Sequence, residues 1–369
     1  MRRFRTGSEE PRIAYFISPH GFGHAARAAS VMAALYELEP SVRFEIFTQV
    51  PDWFFQDSLS SVFNYHPLLT DLGLVQKTPL VEDIPETVRR LNALLPFDRS
   101  QIERLARQVR ELKCALIVCD IAPMGILVAQ EAGIPSVLVE NFTWDWIYQG
   151  YLHEEVRLRP HIAYLQEVFE AADYRVQTEP VCCYRTADLV TPPVSRKART
   201  PAKQIRGRLG IPASAKVVMI TMGGIPEQYT FLDRLEGLKD LYFVIPGPSA
   251  SWQVRNRLIL LPHRSDFYHP DLVQACDVIL GKLGYSTVAE VYHAGVPFGY
   301  VLRERFRESA VLAAYVKEHL QSFALTEAEF QSASWLSRLP DLLALPRIPR
   351  EGPNGADQVA DFLYRLLTT

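Results

Sequence analysis

The chain reads as an α/β protein built from two Rossmann-like parallel sheets in tandem, with a cleft where the C-terminal strand ends face each other. Three observations lead there. First, an apolar run at residues 12–18 is broken by Pro19, Gly21 and Gly23. It is followed by an alanine-rich stretch with Val31, Leu35 and Leu38 at helical spacing, then by an alternating run at 42–47. Strand, glycine turn, helix, strand is a βαβ unit, hence a parallel sheet. Second, the same plan starts again at 216–221, which runs into Met222-Gly223-Gly224. Third, 369 residues exceed the ~250–300 at which a single core stops growing.

The elements follow in order. A helix is expected from Ala25 to Leu38, stopped by Pro40, and a strand near 61–66. Residues 50–100, rich in proline and aromatics, read as a loop-rich region facing the cleft. A helix at 98–112 leads to the strand 115–119, which ends at Asp120. Pro123 to Ala132 is a short helix closed by Gly133, and 136–139 is the next strand. A helix at 161–172 and a strand at 188–190 end this half. In the second half, a short helix at 205–209 precedes the strand 216–221. A helix at 228–237, strands at 241–245 and 258–261, and a helix at 270–276 follow. The run 277–280 is a buried strand and 298–302 another. After 304 the pattern is helical to His319 and again around 326–344. In the tail, Val359, Phe362, Leu363 and Leu366 share one helical face, so this helix is expected to pack back onto the first half. These readings divide the chain into 1–194, 195–350 and a tail at 351–369.

Composition narrows the function. A net charge of −3 argues against a broad nucleic-acid face. The basic start, Met1 to Arg5, reads as a disordered tail. No apolar run reaches the ~18–20 residues of a transmembrane helix, and no secretory segment follows the start. Peripheral membrane contact stays open. Five cysteines, without CxxC spacing, fit a reduced, cytoplasmic protein.

The most informative stretch is 281–297. A strand stops, turns on Gly281 and Gly284, and opens a helix at Ser286 or Thr287, which Gly295 and Pro297 end. A helix N-terminus is a seat for an anion such as phosphate. Glu290 then has two readings. It is a carboxylate beside a ligand, or it closes a capping box with Thr287. In the first half, His24 stands at the end of a glycine turn. An imidazole with an ordinary pKa near ~6.5 suits proton removal at neutral pH. Asp120, at the end of a different strand, could hold its other nitrogen. Each also has a plainer reading: His24 as a helix-end cap, Asp120 as N-cap of the helix at 123–132. His20 and His24 are four apart, but a glycine-broken turn is no helix and no third ligand follows, so no metal site is expected. The aromatics Trp144, Trp146 and Tyr148 stack on a sugar or belong to the core.

Four pieces carry a resemblance: 18–27, with Ser18-Pro19-His20-Gly21-Phe22-Gly23-His24; 141–148; 281–290; and 303–308. Together they resemble GT-B glycosyltransferases of the peptidoglycan N-acetylglucosaminyltransferase type. They are closest to the glycosyltransferase-like N-terminal region of L-arabinokinases. No galactokinase-type phosphate loop is present, so sugar-kinase activity is not implied. The resemblance implies that the second half binds a nucleotide sugar, usually a UDP-sugar, and the first half an acceptor that is a small molecule, lipid or glycan. Glu290 would take the ribose hydroxyls. Gly284, Ser286 and Thr287 would form the diphosphate loop, and the turn Gly223-Gly224 would let the backbone approach a phosphate or the acceptor. Arg196 would reach the phosphates from the linker, and the segment around Phe267 would read the base. His24 and Asp120 would be the catalytic pair. In place of the Asp-Gln or Gln-Gln pair that holds the donor sugar in many relatives, this chain has Arg307-Glu308-Ser309-Ala310.

The expected function is therefore metal-independent, inverting glycosyl transfer from a nucleotide sugar, with no cofactor. The alternative is a GT-B-shaped module that binds a nucleotide or sugar without turnover.

Overall fold

The structure, a computed structural model, describes residues 10–223, 229–238 and 240–368. The basic start, Gly224 and the beginning of the helix expected at 228–237 lie outside the described residues.

In the first half the strands are β1 (Arg12–Ile17), β2 (Arg43–Thr48), β3 (Phe63–Pro67), the hairpin β4 (Gln76–Thr78) and β5 (Val81–Glu82), β6 (Cys114–Asp120), β7 (Ser136–Glu140), β8 (Tyr174–Thr178) and β9 (Leu189–Thr191). Seven of them form a parallel sheet in the order β3-β2-β1-β6-β7-β8-β9. The second half contributes β10 (Lys216–Thr221), β11 (Leu241–Ser249), β12 (Gln253–Arg255), β13 (Leu258–Pro262), β14 (Val278–Lys282), β15 (Phe298–Val301) and β16 (Ser322–Leu325). Their order is β12-β13-β11-β10-β14-β15-β16, parallel except for the edge strand β12. Strands covered on both faces are near-continuously apolar, as Val278, Ile279 and Leu280 show.

Both sheets reverse strand order beside their first strand, between β1 and β6 and between β10 and β14. In doubly wound sheets such switch points open a crevice outside the strand ends. Here the two crevices face each other. Gly23, at the start of the helix Gly23–Leu38, illustrates how close they come: a Cβ there would stand 3.7 Å from Ser286 Oγ of the other half.

Two elements cross between the halves. The tail helix Gly355–Thr368 buries Val359, Ala360 and Leu363 in the core of the first sheet, with Val31 and Leu35. Gly355 is needed where it enters, because a Cβ would lie 2.1 Å from the Pro192 carbonyl. The hairpin β4–β5 reaches the other way. Its Leu80 joins the second core beside Met222, Phe231 and Trp335, and Glu82 accepts from Arg303 at 2.7 Å. The stretch expected to be loop-rich therefore contains a clasp, besides the helices Asp52–Ser58 and Ile84–Leu94.

Some expectations fail locally. β8 was not expected, although Tyr174 and Val176 alternate with Arg175 and Gln177; both polar side chains are satisfied by Glu140 of the neighbouring strand, at 2.8 and 3.1 Å. The helical run at 326–344 is broken into Glu327–Gln331, the 3-10 turn Ser334–Ser337 and Leu339–Ala344, with Ala333 left-handed at φ 51°.

Candidate active site

The first switch point gathers a buried polar cluster. β1 ends in the turn 18–22, where Gly21 takes φ +70°, and the helix Gly23–Leu38 begins. His24 is its second residue and Arg27 lies one turn on, on the same face. Both point at the end of β6. His24 Nδ1 lies 3.0 Å from Asp120 Oδ1, and Arg27 grips both Asp120 oxygens, at 2.7 and 2.8 Å. Arg27 also donates to Asn141 Oδ1 at 2.8 Å, and Asn141 Nδ2 donates to Glu308 of the second half at 2.8 Å. His24 is 8% exposed, Arg27 1% and Asp120 fully buried. Neither of the plainer readings holds. The N-cap of the helix Gly23–Leu38 is Phe22, with no side-chain cap, and that of the helix Pro123–Ala132 is Ala122.

Electrostatics sets the roles. Burial works to raise the Asp120 carboxyl, but Arg27 and His24 outweigh it and hold it below its ordinary value. Asp120 is thus an anion. His24 moves down: burial disfavours its charged form more than Asp120 supports it. The ring is neutral at pH 7, donates from Nδ1 to Asp120, and leaves a lone pair on Nε2.

The second switch point supplies a helix N-terminus. β14 passes so close to β10 that a Cβ on Gly281 would stand 1.9 Å from the Thr221 carbonyl. The helix then starts at Tyr285, one or two residues earlier than expected, with Gly284 as N-cap and no side-chain cap. The capping-box reading of Thr287 and Glu290 is therefore wrong: the register puts Glu290 beyond the first turn, out of reach of the N-cap amide. Its carboxylate instead receives Arg196 at 2.9 and 3.2 Å and His269 Nδ1 at 2.7 Å. Burial would raise the Glu290 carboxyl, yet His269 and Arg196 together hold it below the usual range.

Two adjoining cavities follow, sharing Phe22, Gly223, Ser286 and Thr287 in their linings. The outer one, about 330 Å³, is lined by Arg196, Thr221, Gly223, Phe267, Tyr268, His269, Ser286, Thr287 and Glu290, and across the cleft by Phe22, Trp53 and Phe54. Arg196 lies over Phe54 and Tyr268, with its guanidinium carbon 5.0 and 5.2 Å from the ring centroids. Phe267 is nearly buried, wedged between Trp252 and Arg208. The inner cavity, about 70 Å³, is lined by His20, His24, Asn141, Lys282, Gly284, Ser286, Arg303 and Glu308 among others. Burial and the nearby Arg303 push the Lys282 amine down to about 7, against the pull of Glu308 and Glu82. Burial raises the Glu308 carboxyl. Among the described residues, no three His, Cys, Asp or Glu side chains gather as a metal cluster.

The candidate residues thus fall into two groups that meet at one cleft: His24 and Asp120 on one wall; Arg196, Phe267, Gly284, Ser286, Thr287 and Glu290 on the other. Arg196 sits on Glu290 in this structure. Trp144, Trp146 and Tyr148 are all core. Arg27, Asn141, His269, Lys282 and Glu308 were missed as site residues. Arg27, Asn141, Lys282 and Glu308 lie within the stretches that carry the resemblance, and Arg27 also stands one helical turn after His24; His269 left no such signal.

Comparison with known proteins supplies the name of this arrangement. A glycosyltransferase of kitacinnamycin superposes with a TM-score of 0.65 at 14% identity, covering 97% of this chain and all of that one. MurG of Acinetobacter baumannii superposes at 0.54 and 13% identity, over 96% and 99% of the two chains. The fold is GT-B. In sequence, the chain is 27% identical to L-arabinokinase of Arabidopsis thaliana over 362 residues. That match takes in 95% of this chain and 34% of the relative, so the chain spans about a third of the relative's length. No family model matches. No helix among the described residues is long and apolar enough to cross a membrane.

Proposed function

We propose that this GT-B protein transfers a sugar from a nucleotide sugar, a UDP-sugar by its resemblances, to an acceptor hydroxyl, with inversion and without a metal. The observation that carries the reading is the pairing across the cleft: a neutral, Asp120-oriented His24 in the same cavity as the N-terminus of the helix Tyr285–Ala294. His24 Nε2 takes the acceptor proton as the acceptor oxygen forms its bond to the anomeric carbon. The bond from that carbon to the diphosphate oxygen breaks, and the electron pair leaves with the nucleoside diphosphate. Charge appears at both ends of this step. Asp120 supports the new imidazolium, and the free N–H groups of residues 285–287, with Lys282, face the departing diphosphate.

Glu290 and Arg196 take the nucleotide end. Ribose hydroxyls donate to the Glu290 carboxylate, and Arg196, already on Glu290, needs only a short swing to meet a phosphate. Phe267 and its neighbours border the base. A cytoplasmic setting fits the free cysteines and the composition. The glycosyltransferases among the structural neighbours and the L-arabinokinase relative support sugar chemistry.

One observation favours the alternative, a binding module without turnover: Glu308 stands where many relatives hold the donor sugar, and it is engaged by Asn141. A panel of UDP-, GDP- and TDP-sugars, with nucleoside diphosphate release followed for wild type and His24→Ala, separates the two. Release that His24→Ala abolishes supports transfer. Tight nucleotide binding with no release from any donor sinks it.

A further inference from the structure

His20 lies on the same turn as His24, and the chemistry above leaves it unused. The fold pins its ring. Trp144 meets it edge-on, with centroids 5.1 Å apart. The chain at Gly73 passes against its other side: a Cβ there would stand 2.7 Å from His20 Nδ1, and Gly73 takes φ +62°. The amide of Leu74 donates to Nδ1 at 3.4 Å. A backbone N–H only donates, so Nδ1 carries the lone pair and the proton of the neutral ring is on Nε2. Nε2 makes no hydrogen bond among the described residues, and the ring lines the inner cavity. His24 is the mirror case, since its Nδ1 faces a carboxylate and its Nε2 is the acceptor. Burial, Arg303, His24 and Lys282 all disfavour a charged His20, so the ring stays neutral at pH 7, and the Leu74 amide sets which nitrogen holds the proton.

The inner cavity therefore presents one fixed acceptor at His24, one fixed donor at His20, and the Glu308 carboxyl beside Lys282 and Arg303. Away from the helix N-terminus that faces the diphosphate, the lining at His20, His24 and Glu308 mixes donors and acceptors, which suits hydroxyl groups, since they both donate and accept. His20 also lines the inner cavity and not the outer one, where the nucleotide end would lie. We propose that His20 is a second functional histidine of the site, donating from Nε2–H to a hydroxyl oxygen of the sugar being transferred. This rests on the reading of the cleft as a nucleotide-sugar site.

The test uses the whole protein labelled with ¹⁵N-histidine. Two-bond ¹H–¹⁵N correlation spectra at pH 7 should show His20 protonated on Nε2 and His24 on Nδ1. UDP-glucose, UDP-galactose and UDP-N-acetylglucosamine are then added in turn, each against UDP. At least one sugar nucleotide should shift His20 Nε2 where UDP does not. His20→Ala should weaken that sugar nucleotide by about three- to tenfold and leave UDP affinity unchanged, with His20→Gln, which keeps an N–H at this reach, recovering part of the loss. His20 protonated on Nδ1, an equal response to UDP and every UDP-sugar, or a His20→Ala protein that keeps wild-type affinity for all of them would overturn the proposal. If a UDP-sugar shifts His20 but none is turned over, the sugar contact stands and the transfer reading falls.

Discussion

His24 shows how a single residue acquires a role from its neighbours. Asp120 orients it, burial keeps it neutral, and Arg27 keeps Asp120 ionised. His24→Ala should lower kcat by about 10²–10⁴-fold, the usual worth of a general base, with nucleotide affinity unchanged in a titration. Because burial lowers the His24 pKa, its basic form survives to more acidic pH than a free imidazole. The acid limb of the kcat/KM profile should therefore lie below pH ~6.5. The same sign governs stability. The unfolded chain binds the proton near pH ~6.5 and the folded one only below that, so stability from this group is complete above pH ~6.5 and falls as pH drops towards the lowered value. Arg27→Met removes a cation that depresses His24, so the acid limb should move up in pH. It also leaves Asp120 buried without its guanidinium, at a cost of about 3–5 kcal/mol in urea denaturation. Glu290→Ala should weaken UDP binding by about 1–3 kcal/mol in calorimetry. Unchanged affinity would leave Glu290 as no more than a structural anchor for Arg196 and His269.

At the scale of elements, the strand–turn–helix units were legible and their partners were not. The start of the helix Tyr285–Ala294 was readable to within one or two residues from Gly284 and Gly295. That offset mattered, because the capping box depends on register. The clasp β4–β5 was invisible: two short strands with mixed burial carry no periodicity, and the other buried members of the core that Leu80 joins, Val218 to Leu342, lie 138–262 positions away in sequence. Glu82→Gln would take from the buried Arg303 the carboxylate it is paired with at 2.7 Å. We expect a loss of about 3 kcal/mol or more, read by denaturation, together with weaker protection from hydrogen exchange in residues 76–82. An unchanged exchange pattern would mean that Leu80 alone holds the hairpin.

For the whole molecule, the tail helix makes the first core depend on the last residues of the chain. Leu363→Ala should cost about 2–5 kcal/mol in urea denaturation. Its effect should appear in first-half probes such as Trp53 fluorescence as well as in the tail. The sequence by itself determined two parallel sheets, the glycine turns that open each, and the side chains available at those turns, because strand burial and helix capping are local and periodic. His24, Asp120 and the stretch 281–290 were found that way. Only the tertiary structure decided which of these side chains meet. Asp120 is 96 residues from His24, and Glu308 is 167 from Asn141; no local pattern encodes such pairs. The two switch points, brought face to face, set a helix N-terminus on one wall of a cleft and the Asp120-oriented His24 on the other.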